Sequence, residues 1–218
     1  MLAKAVSRPA GQSRHKIVIN QTKKTHGAGM EISFRDAVTV LHGMGFGALL
    51  LLAFSGAFVG LYSSSVAGHA WNQRDRRFVG WYLIVMAALG WAAVLAGAYL
   101  VYPWYRAIAP AGTIDLAGYP QRMLMANPLT IGWHSLGMEW KEHIAWFAPI
   151  ALTTVAYVFV KYGAQLANFR SLRNTVLALA AIALFATAVA AGFGAMLNKY
   201  APVRGGAEIV LFKGADRD

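Results

Sequence analysis

The sequence predicts an all-α membrane protein, a four-helix transmembrane bundle with a long proline-containing loop between helices two and three. Three observations predict it. The 218 residues are 57% hydrophobic and only 13% charged, about half the charged share of an ordinary soluble domain. The mean hydropathy is +0.45. Four apolar segments, at about 38–62, 79–102, 143–162 and 174–197, each run to roughly 20 residues or more, enough to cross a hydrocarbon core of about 30 Å.

The elements follow in order. Residues 1–37 form a basic arm with Lys4, Arg8, Arg14, Lys16, Lys23, Lys24 and Arg35, and no acid before Glu31. It has the composition of an organelle transit peptide but lacks the apolar core of a secretory signal, so no cleaved secretory signal is expected. An arm lying on partner subunits or phospholipid headgroups is the preferred reading, and a solvated tail the alternative. The turns after the first and third segments are short and basic, with Arg74, Arg76 and Arg77 in one and Lys161, Arg170 and Arg173 in the other. Their face is called side B here. Side A receives the arm, the loop after Tyr102 and the tail, 198–218. That loop, about 40 residues, begins Pro103-Trp104-Tyr105-Arg106 and passes Pro110, Pro120 and Pro128, which excludes continuous helix over most of it. Residues 130–142 read as a helical lead-in to the third segment. Short loops carry the positive-inside signal, so side B is read as cytoplasmic, although the basic arm argues the other way.

Composition also excludes functions. Twenty Lys and Arg against nine Asp and Glu give a net charge of +11. The positive charge sits in the tails and between apolar runs, where it meets headgroups and sets orientation, so no nucleic-acid partner is expected. The absence of cysteine removes disulfides, iron–sulfur clusters, thiolate zinc sites and cysteine nucleophiles. No nucleotide loop, triad elbow, metalloprotease helix or broken, charged transporter helix is present. A carboxylate-bridged di-iron site needs paired Glu-x-x-His units from two helices, and only 132–146 holds several carboxylates.

The histidines carry the most information. His15, His26 and His69 read as solvated surface imidazoles. His42, His134 and His143 lie at or near membrane segments, where ionisable groups are costly and mark candidate sites. Segments one and three both start on side A, so His42 and His143 are expected at similar depth, as two axial ligands of one b-type haem would be. Gly43 and Gly47 would bare a helix face for a flat macrocycle, or equally for close helix packing. In GWHSLGMEWKEHIAW, residues 132–146, Glu139 and His143 share a face, and His134 points elsewhere. Glu139 would orient the imidazole or relay protons at a quinone pocket. Lys141 would pair with a propionate, a lipid phosphate or a carboxylate. Arg35 and Arg106 are candidate propionate clamps, with a headgroup anchor the alternative for Arg35. An interfacial helix with water-facing polar groups is the plain alternative for the whole stretch. The fourth segment is assigned no chemistry.

The run Arg35-Asp36-Ala37-Val38-Thr39-Val40-Leu41-His42, followed by Ser55-Gly56, resembles the first helix of four-helix b-type cytochromes, such as the membrane gamma subunits of formate dehydrogenase and related hydrogenases. The resemblance covers about 25 residues. It implies an electron-transfer subunit with His42 as a haem ligand, exchanging electrons with a partner and with quinone. Those families also place histidines in helices two and four, where this sequence has none, so one haem at most is implied, through His42 and His143 or His134.

The expectation is an electron-transfer subunit of a respiratory or photosynthetic membrane complex, with one haem b near side A between helices one and three. It would reside in a bacterial cytoplasmic membrane, or an organelle inner membrane, in contact with lipid and other subunits. The alternatives are a structural or assembly subunit and a pigment-binding subunit. A self-contained enzyme is not the reading.

Overall fold

The computed structural model describes residues 32–65, 72–202 and 208–209. The arm to residue 31, with His15 and His26, and the turn carrying His69 lie outside the described residues. Four helices are long and apolar enough to cross a membrane: α1 (Phe34–Ser64), α2 (Gln73–Tyr105), α3 (Trp133–Gln165) and α4 (Arg170–Tyr200). The protein is an integral membrane protein of the all-α class.

Each helix is longer than its apolar run. Ser33 caps α1: its hydroxyl accepts the Asp36 N–H at 3.1 Å, while the Ser33 N–H donates to the Asp36 carboxylate at 3.3 Å. That capping box sets the helix start at Phe34, so residues 34–37 belong to α1 and not to the arm. Asn72 caps α2 by accepting the Asp75 N–H at 2.9 Å. At its other end α2 continues through Pro103 to Tyr105. Gly97–Val101 is wound as a wider π-helical turn, which accommodates the proline's missing donor without ending the helix. The expected lead-in is helix: α3 begins at Trp133. The connection from α2 is thus confined to 106–132, which include a short helix, Pro120–Met125, with its proline in the first turn.

Inside α3 the chain is interrupted at 144–146. Pro149 lacks an N–H, and its ring would strike the carbonyl of residue 145 in a regular helix, so the interruption falls there. Phe147 N–H donates to Ile144 C=O at 3.0 Å, a tightened bond across the break.

The helices form a closed ring of neighbours, α1 against α2 and α4, and α3 against α2 and α4. Leu50, Phe54, Ala57 and Leu61 of α1 meet Leu83 and Met86 of α2, Leu152 and Val155 of α3, and Val176, Ala180 and Ala183 of α4. Hydrocarbon supplies little drive for helices to associate, so close packing and small residues do the work. Gly56 shows this: a Cβ there would lie 2.5 Å from the Tyr82 hydroxyl, which donates to Ala53 C=O at 2.7 Å. A second small cluster, Tyr105, Leu124, Met138, Leu197 and Ala201, closes the side A end. There Ile32–Ser33 pairs antiparallel with Glu208–Ile209, bringing the segments before α1 and after α4 to the same end, as the crossing count requires.

Candidate functional site

Three of the four helices are π-helical where they approach side A: Leu41–Ala48 in α1, Gly97–Val101 in α2 and Trp133–Met138 in α3. Such wide turns are rare in helices and concentrate at functional sites. His42, its receiving glycine and His134 all lie on them.

His42 turns into α2. Its Nδ1 is 2.8 Å from Ala93 C=O. Its Cε1 lies so close to Gly97 that a Cβ there would come within 2.7 Å, and Nε2 would be 3.4 Å from that position. Gly97 is therefore the residue that admits the imidazole, and sequence reasoning missed it. The sequence offered no signal that separates it from Gly80 and Gly90, the packing glycines of the same helix.

Lys141 enters from α3. Its ammonium donates to Ala190 C=O of α4 at 3.4 Å, and a Cβ on Gly194 would lie 2.8 Å from Nζ. A helix assigned no chemistry from sequence thus supplies the carbonyl and the bare surface that receive a charged group. The next residue, Glu142, is half-buried, and the Tyr102 phenol of α2 interacts with its carboxylate. Its Oε1 is sealed from solvent without a hydrogen-bond partner among the described residues.

His134 is held on both nitrogens. Nδ1 is 2.8 Å from the Tyr105 hydroxyl and Nε2 is 3.3 Å from Gln121 Nε2. An amide nitrogen only donates, so Nε2 accepts, and the ring proton on Nδ1 is donated to Tyr105.

His143 points the other way. Residues two apart on a helix lie about 200° apart, so with Lys141 directed at α4, His143 faces outward. Its side chain is 68% exposed and that of Glu139 51%. Nδ1 meets Glu139 C=O at 3.0 Å, with the Glu139 carboxylate at 3.6 Å. The contact is local to one turn of α3, with the Glu139 carbonyl nearer the ring than its carboxylate.

These positions do not fit a porphyrin held between α1 and α3. His42 is pressed edge-on against α2, His143 faces away from the bundle, and His134 has no free nitrogen. The two imidazoles lie at comparable distances along their helices, as crossing parity implies, but rotation about the helix axes turns them to different surroundings. Among the described residues, no group of three or more His, Asp or Glu is placed to hold a metal ion.

The other expected residues are equally specific in place. Gly43 is exposed, with nothing within 4 Å of a Cβ position, and Gly47 would meet only His42 C=O at 3.4 Å. The packing glycines of α1 are instead Gly56 and Gly60, which face Tyr82 and Val79. Arg35 lies over the Trp104 ring at 5.3 Å and Arg106 over the Tyr102 ring at 5.6 Å. The first of these cation–π contacts joins the start of α1 to the end of α2, and the second is local to the end of α2.

Compared with known proteins, the chain matches no family model, and no curated protein and no solved structure is significantly similar to it.

Proposed function

We propose that this protein is a non-catalytic subunit of a larger membrane complex and that it joins its partners through the outer face of α3. The Glu139–His143 pair carries this reading. Leu136, Glu139, His143, Phe147, Ile150, Thr154 and Tyr157 recur at three- and four-residue steps and are all exposed, the period of a helix–helix seam. A carboxylate and an imidazole turned towards acyl chains are unfavourable, and a partner helix bearing a polar group would remove both from lipid. A bacterial cytoplasmic membrane is the setting proposed.

The test is the size of the particle that holds the chain when native membranes are dissolved in mild detergent. We expect it in an assembly well above its own mass, and His143→Leu combined with Glu139→Leu to release it as a folded monomer. Recovery of the unaltered protein only as a monomer would sink the reading.

A second reading, electron transfer with quinone as the exchange partner, has one observation in its favour. His143 Nδ1 is fixed by a carbonyl and leaves Nε2 directed outward, the arrangement that outer hydrogen bonds impose on metal-ligating histidines. A haem held this way would sit at the boundary with a partner and would supply one-electron chemistry there. A reduced-minus-oxidised spectrum of the purified complex tests it: an α band abolished by His143→Ala supports it, and no band removes it. Pigment extraction separates the magnesium-porphyrin alternative.

A further inference from the structure

At the side B ends of α2 and α3 the surface opens into a groove of about 380 Å³. Arg76 and Arg77 approach it from α2 and Lys161 from α3, and no carboxylate lines it. Neither Arg76 nor Arg77 is ion-paired among the described residues. The Lys161 ammonium lies 3.0 Å from the Tyr157 hydroxyl and over the Tyr157 and Tyr162 rings. Those aromatic contacts hold the ammonium at the rim. Gly80 forms the floor: its missing side chain lets α2 approach α3 so closely that a Cβ would lie 3.3 Å from Val160 Cγ2. Further into the membrane the groove is walled by Trp81, Ile84 and Val160, all three open to the surroundings.

We propose that this groove is a binding site for one anionic phospholipid, with its phosphate between Arg76, Arg77 and Lys161 and an acyl chain along Trp81, Ile84 and Val160. Charge and shape together select that occupant. Three cations without an acid call for an anion, and arginine's fork matches phosphate oxygens. A free anion would use the rim alone, whereas the apolar wall running into the bilayer matches the chain of a lipid. Basic recesses between transmembrane helices serve this purpose in general.

The experiment uses the full-length protein in nanodiscs of equal phosphatidylglycerol and phosphatidylcholine, read by native mass spectrometry after release. A single retained phosphatidylglycerol, in excess over phosphatidylcholine, is expected. Each surface cation contributes about a fivefold factor, so Arg76→Gln with Arg77→Gln should lower retention about twenty-five-fold. Ala164→Trp, which fills the groove and leaves every charge in place, should also lower it. Arg122→Gln, on the side A connection, should not. Equal retention of the two lipids, an Arg122→Gln loss equal to that of the double variant, no effect of Ala164→Trp, or displacement by inorganic phosphate alone would each overturn the proposal.

Discussion

From Leu50 and Leu83 down to Phe159 and Val176, the helices meet through aliphatic, aromatic and alanine side chains, with α-helical backbone throughout. Towards side A the same helices meet through His42, Lys141, Glu142, Tyr102, Tyr105 and His134, on backbone that is partly π-helical. The first region would serve any bundle: its residues need only be apolar and of matching size. The second places ionisable groups inside a membrane protein and finds each one a carbonyl, a phenol or a bare glycine. A membrane charges heavily for such groups, so their retention marks this end as the specialised one.

Mutations can break or sharpen that contrast. The largest effect is expected in the apolar region. Leu61 is fully buried, and Leu61→Ala should cost about 3 kcal/mol through the cavity it leaves, read as unfolding in mixed micelles. A loss under about 1 kcal/mol there would mean that the region is loosely packed. Next comes Gly97→Ala, whose methyl would meet the His42 ring; overpacking of this kind costs about 2 kcal/mol. The cost should fall below about 0.5 kcal/mol in a His42→Ala background, since the ring is what the methyl strikes. An undiminished cost in the double variant would show that Gly97 matters for another reason. Tyr105→Phe removes the acceptor of the His134 ring proton and should cost about 1–2 kcal/mol, with Tyr102→Phe as the comparison at the same end. The smallest effect is reserved for His143→Ala. The isolated chain should change by less than about 0.5 kcal/mol, because among the described residues the polar partner of the exposed ring is Glu139 of its own helix, while attachment to partner subunits weakens. A large loss in the isolated chain would place His143 inside the bundle and overturn the outward assignment.

Much of the architecture was legible. Four crossings, and a common end for the segments flanking α1 and α4, follow from the apolar runs and the parity of crossings. The basic residues expected in the side B turns lie instead on helix ends, Arg74, Arg76 and Arg77 at the start of α2, Lys161 near the end of α3, and Arg170 and Arg173 at the start of α4. The ends of the helices were less legible because caps and kinks, not hydropathy, set them: Ser33 with Asp36, Asn72 with Asp75, and the wide turn ahead of Pro103. Pro149 gave a readable signal for the break in α3 that a search for long apolar runs passes over.

The site was legible as a set of residue types and not as a set of contacts. His42, Lys141 and the stretch 132–146 stand out by charge alone. Their partners, Gly97, Ala93, Ala190, Gly194 and Gln121, are residues whose role is a surface, a carbonyl or an amide in one place. A histidine advertises itself in any sequence, whereas a glycine that admits one is indistinguishable from a glycine that merely packs.

The chain's own residues therefore determined the solvent in which it folds, the number of passes and the end at which polar groups collect, because each is a property summed along one helix. Which imidazole turns inward and which faces out was decided only by the assembled helices. Both sides of a membrane helix are apolar, so hydropathy leaves the rotation about its axis nearly unspecified. Knob-and-gap fit sets it instead: Lys141 against Gly194 on one face of α3 leaves His143 on the other.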